Sequence, residues 1–289
     1  MRNFNTSNLF LPGVDAAAGR KSVGRTSHAL HNWTMKSNPA YDMRDVESGK
    51  GQGNAMGDTA KYNVSGETSD LMATVRLGFI RKVFMLLTLQ LAVTFSIVLL
   101  FNLVDSINAF CRANGSWLFW VSFILSFAIL IGITCNPRIA REHPTNLYAI
   151  SAFTFAEGIF LGIICAYYAL DEILFAVAIT LGVSAALILF ASQTKVDFTS
   201  KGMYLYASLW VLILLGMITP FYSGTGNLIY SGLGALIFSL YMVYDAQLIF
   251  GGKHRKYQFD IDDYVFASLA LYLDIVNLFL IILGGGRRD

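Results

Sequence analysis

Three acids stand where a carboxylate is hardest to keep: Glu157 in FTFAEGIF, Asp245 in MVYDAQLIF and Asp274 in LYLDIVNLF, each inside an apolar stretch. A charge at the centre of hydrocarbon costs at least about 2.5 to 3.5 kcal/mol, so acids retained there usually exchange protons, bind cations or tie helices together. Asp245 is followed by the basic run Lys253, His254, Arg255, Lys256, and then by the stretch that holds Asp274. If the two stretches are antiparallel helices, Asp245 lies about 8 Å and Asp274 about 15 Å from their shared end, so the carboxyl groups can meet. Two carboxylates that close in a low-dielectric bundle do not both ionise easily and titrate as one unit. Such a pair suits a proton sensor or a transient metal-cation ligand. The plainer reading is a hydrogen-bonded tether between helices.

The neighbours of these acids sharpen the picture. Ala267, Ala270, Asp274 and Asn277 share one helical face, and Gly234, Tyr241 and Asp245 share another, so each aspartate has a polar companion one turn away. No Lys or Arg accompanies Glu157 inside the first three apolar stretches, which leaves a tether and a role in an ion path equally open. Gln90 and Asn102 read as hydrogen-bonding glue between helices. His28, His31, His143 and His254 show no ligand spacing, and Cys111, Cys135 and Cys165 are isolated thiols. No P-loop, GxSxG, HExxH or Rossmann signature occurs, which removes the common enzyme readings and leaves no cofactor expected.

The elements that must position the acids follow from composition. The 289 residues are 55% hydrophobic and 14% charged, against roughly 25% charged in a soluble domain, and the mean hydropathy is +0.55. The lipid bilayer is therefore the expected partner. A net charge of +2, scattered along the chain, gives no nucleic-acid footprint. From Val83 onward, apolar stretches alternate with short polar loops, and each is long enough to cross roughly 30 Å of hydrocarbon as a helix. Seven spans are predicted, near 83–104, 117–135, 147–168, 172–192, 203–222, 228–250 and 264–284, making an all-α seven-helix transmembrane bundle. Residues 1–74 are polar and lack apolar periodicity, and read as a disordered cytosolic tail without a secretory leader.

Lys and Arg set the orientation. Arg76, Arg81 and Lys82 precede the first span, Arg138 and Arg141 follow the second, Lys195 and Lys201 the fourth, and Lys253, Arg255 and Lys256 the sixth. The amino terminus is expected in the cytosol and the carboxyl terminus across the membrane, although Arg287 and Arg288 pull the other way, as they would if the last segment were re-entrant. A sequon at Asn114 is expected in the first far-side loop. Five basic residues among the first 36, against Asp15 alone, resemble a mitochondrial transit peptide and keep the mitochondrial inner membrane as a minor alternative.

The segments VRLGFIRKVFMLLTLQL (75–91), HPTNLYAISAFTFAEG (143–158), LFASQTKVDFTSKG (189–202), YSGLGALIFSLYMVYDAQLIFGG (230–252) and DDYVFASLALYLDIVNLFLIILGG (262–285) resemble the Bax-inhibitor motif family, in its lifeguard branch. The resemblance covers the whole membrane domain and implies a non-enzymatic, pH-sensitive calcium leak in endoplasmic-reticulum or Golgi membranes, together with suppression of apoptosis. It implies that Asp245 and Asp274 form a di-aspartyl sensor that meets calcium transiently, and that an arginine after the second span, Arg138 or Arg141, latches onto them. Apoptosis-regulating membrane proteins would be its partners. Two other readings compete: a non-conducting interaction protein working through its tail, and an intramembrane aspartyl protease. The second is disfavoured because Asp274 sits in LYLD rather than a GxGD context.

Overall fold

The computed structural model describes residues 55–218, 225–252 and 254–286, and their side chains from Asp70 onward except at 137, 225 and 226. The chain divides into two units, Met1–Val64 and Ser65–Asp289; of the first, only residues 55–64 are described, and they are helical. The second carries the architecture. Its helices are α1 (Ala55–Leu103, begun in the first unit), α2 (Asp105–Cys135), the short α3 (Pro137–Arg141), α4 (Thr145–Cys165), α5 (Leu170–Gln193), α6 (Gly202–Ile218), α7 (Thr225–Phe250) and α8 (Tyr264–Gly285), with no strand among the described residues. Seven of them, all but α3, are long and apolar enough to cross a membrane. The protein is an integral membrane protein, with seven membrane-spanning helices among the described residues.

Two expected boundaries move. The tail read as irregular to residue 74 is helical from Ala55, and residues 1–54 lie outside the described residues. Once an apolar helix is nucleated, each added residue costs little, so polar residues without proline extend it. The second difference lies in the connection between the first two spans, where residues 105–116 belong to α2 instead of a loop. Val104 alone breaks the helix, at φ −94° and ψ 102°, and Asp105 then sits in the first turn of α2, where a carboxylate favours the helix dipole. Asn114 of the sequon is thus helical; its amide donates to the Phe110 carbonyl and its oxygen accepts from Trp117 Nε1.

The core runs along α8, the span most covered by its neighbours, which packs against α7, α5 and α4; α6 lies outermost, against α7. Phe79, Val83, Leu87, Phe153, Met242, Leu271 and Tyr272 belong to one continuous buried cluster. Small residues set the closest approaches. A Cβ on Gly158 would fall 2.6 Å from Ile97 Cδ1, and one on Gly162 would fall 2.9 Å from Phe101 Cδ1, so the absence of side chains on α4 lets α1 seat its own. Gly234 receives Ile281 in the same way, whereas Gly232 faces open space.

Candidate functional site

The aspartates come from the two most intimately packed helices, α7 and α8. Their antiparallel run is set by the short connection 251–263, which opens with Gly251 at φ +61° and Gly252 at φ +110°, backbone that β-carbon-bearing residues rarely adopt. Asp245 is 8% and Asp274 5% exposed. Their carboxyl groups lie within hydrogen-bonding reach of each other. Asp274 Oδ2 takes no amide or hydroxyl donor. Carboxylate oxygens only accept, so this contact is bonded only when a proton lies between the two groups. Tyr241, half-buried one turn before Asp245, feels the charge of both acids. Asn277, one turn beyond Asp274, turns its amide back to the Leu273 carbonyl at 2.8 Å.

The end of the bundle nearest Asp245 is closed by side chains on main-chain atoms. Gln247, fully buried, donates to the Val196 carbonyl at 3.0 Å and accepts from the Phe198 N–H at 2.8 Å, tying α7 to the connection between α5 and α6. Arg255 donates to the carbonyls of Val196, Ala191 and Thr194, and Asp197 accepts from Thr199 and from the Lys256 N–H. On the other flank, the Arg76 guanidinium donates to the carbonyls of Leu248 and Phe259, both at 2.6 Å, and to Phe250 at 3.4 Å. Each arginine thereby donates to carbonyls at a helix end or in a loop, adding to the bonds that Leu248 already takes from the Phe259 N–H and Val196 from Gln247. Sequence reasoning took the basic run only as an orientation signal and did not single out Arg76 or Gln247. A neutral polar residue two positions after Asp245, at the end of an apolar helix, was the available hint for Gln247.

Neither candidate latch reaches the aspartates. Arg141 makes a two-pronged ion pair with Asp263, Nε to Oδ1 at 2.7 Å and Nη2 to Oδ2 at 3.0 Å, with Asp260 at 3.7 Å. Arg138 is exposed, and its bonds are backbone ones: its N–H donates to Asn136 Oδ1 and its carbonyl accepts from the Glu142 N–H. The pairing of Arg141 fastens α3 to the start of α8 and leaves the aspartates without a cationic partner among the described residues. Glu157, on α4, is brought to neither aspartate; it faces Ser126 of α2 and Tyr272 of α8.

Among the described residues no group of three or more His, Cys, Asp or Glu forms a metal cluster. Two carboxylates offer at most a site of passage, completed by water or carbonyl oxygens, for a hard cation such as calcium.

Residues 76–284, which hold both aspartates and reach into the first and last of the seven long helices, match the family described as "Inhibitor of apoptosis-promoting Bax1". Human Protein lifeguard 3 is 34% identical over 215 residues, covering 72% of this chain and 68% of the relative. Mouse Protein lifeguard 3 is 32% identical over 222 residues, covering 74% and 71%. Bax inhibitor 1 of Schizosaccharomyces pombe is 34% identical over 275 residues, covering 94% of this chain and 93% of its own.

Proposed function

The chain belongs to the Bax-inhibitor family of membrane proteins, and from that premise we propose that it is a pH-sensitive calcium leak channel of an intracellular membrane that restrains apoptosis, without enzymatic activity. The observation that carries the reading is the meeting of Asp245 and Asp274, both buried, from adjacent helices and with no cationic residue beside them among the described residues. With a proton between them the carboxyl groups hold α7 and α8 together. When both are ionised, two negative charges in a low-dielectric site repel each other and attract a divalent cation. Protonation and calcium then compete for one position, and the helix packing follows the winner. Tyr241 and Asn277 flank that position along the path.

The endoplasmic reticulum or Golgi is the proposed location, with the amino-terminal segment in the cytosol. Arg76, Arg141 and Arg255 all gather at the end of the bundle that holds the 251–263 connection, which supports that orientation through the excess of cytosolic basic residues. The names of the relatives, lifeguard and Bax inhibitor, support a role in cell survival and describe no enzyme.

The experiment is calcium efflux from liposomes holding the purified chain, measured across pH, for the wild type and Asp245→Asn. The proposal expects a pH-dependent leak that the substitution flattens; identical profiles would overturn it. The family description, naming a protein target, favours as second reading a non-conducting protein that acts by binding apoptosis regulators. Deleting residues 1–74 separates the two: lost protection with unchanged flux favours binding, and retained protection favours the helical core.

A further inference from the structure

Glu157 lies outside the proposed calcium path and needs its own account. It is 8% exposed in the middle of α4; α2 and α8 bring hydroxyls to face it, and among the described residues no positive charge accompanies them. From α2, the Ser126 hydroxyl faces the carboxyl and finds no other partner, although a serine in a helix usually bonds a carbonyl one turn back. From α8 comes the Tyr272 phenol, fully buried and the titratable group that faces Glu157; it shares a 2.8 Å hydrogen bond with Thr94 of α1. One turn earlier on α1, Gln90 is 4% exposed, and neither atom of its amide has a partner.

These features are not those of a finished tether. A finished tether would hold the carboxyl from several sides, whereas Ser126 is the hydroxyl aimed at it and the Gln90 amide on α1 has no partner. A lone buried carboxylate also requires a counter-charge, and the groups that face it, Ser126 and Tyr272, are neutral hydroxyls. The counter-charge that needs no added space is a proton.

We propose that Glu157 is a second proton-exchange site, separate from the Asp245–Asp274 pair and served by the hydroxyls of Ser126, Tyr272 and Thr94. The step is a proton transfer alone: solvent hydronium gives one proton to a Glu157 carboxyl oxygen and becomes water. The two sites lie on different sides of α8, because Tyr272 and Asp274 are two residues, about 200°, apart on that helix. The inference needs no calcium conduction.

Infrared titration of the purified full chain in lipid nanodiscs tests it, through the stretching band of protonated carboxyl groups. The expected result is a pH-dependent band component that is missing from Glu157→Gln, persists in the Asp245→Asn/Asp274→Asn double variant and shifts in frequency in Ser126→Ala. Superposable wild-type and Glu157→Gln titrations would overturn the proposal, as would loss of the band in the double aspartate variant. Should Glu157→Gln not fold, Ser126→Ala decides, and a band that titrates at an unshifted frequency counts against the site. No arm reads calcium flux, so failure of the leak and failure of this site are distinguishable.

Discussion

Tyr272 and Asp274, two residues apart on α8, face different partners: the Tyr272 hydroxyl bonds Thr94 on α1, and the Asp274 carboxyl meets Asp245 on α7. One helix therefore forms a wall of two polar sites in an apolar bundle. Movement of α8 against α7 cannot leave the α1 side unchanged, since both contacts hang on the same rigid element.

The Thr94–Tyr272 hydrogen bond ties α1 to the core. Tyr272→Phe should lower stability by about 1 kcal/mol, because it removes a bond and leaves the Thr94 hydroxyl short of its partner. With Thr94→Val the effects should be non-additive, by about 0.5 to 1 kcal/mol in a double-mutant cycle of detergent unfolding. Strict additivity would show that the bond contributes nothing.

Gln247 closes the end of the site nearest Asp245. Gln247→Leu leaves the Phe198 N–H and the Val196 carbonyl without that partner, and should cost about 2 kcal/mol. Thermal unfolding checks this, and an unchanged midpoint would place the closure elsewhere.

Asp197 gives the same region an acid limit. Burial works against its charge, but hydrogen bonds from Thr199 and the Lys256 N–H, with Arg255 nearby, hold the carboxyl below the usual carboxylate range. Its folded pKa lies below the unfolded value, so its contribution is complete above the ordinary carboxylate pKa of about 4 and fades as pH falls through the lower folded value. Asp197→Asn should therefore unfold at lower temperature than the wild type near neutrality, with the gap closing in acid. A gap that stays constant with pH would contradict this.

The seven spans were legible in the sequence because a bilayer demands about 20 apolar residues per crossing, a signal few loops imitate. The aspartates were legible as exceptions to that signal, and their antiparallel depths placed them together. Arg141 was not, since a long side chain at a helix end chooses among several acids, and Asp263 at the start of α8 competes better than a pair buried in the span. Arg76 and Arg255 were read only as orientation signals, and their contacts were hidden for a related reason: they bond carbonyls, which every residue carries. The Thr94–Tyr272 bond joins positions 178 residues apart, beyond the reach of any local period. The helical stretch at 105–116 was hidden by its polar residues, which suggested a loop although no proline breaks them.

The central claim, that the Asp245–Asp274 contact governs conduction, meets its most direct test in calcium flux through liposomes holding the wild type or Asp274→Asn, followed from acid to neutral pH. The account predicts a leak that changes with pH in the wild type and a flat profile in the variant. An Asp274→Asn variant whose leak and pH profile match the wild type would contradict it.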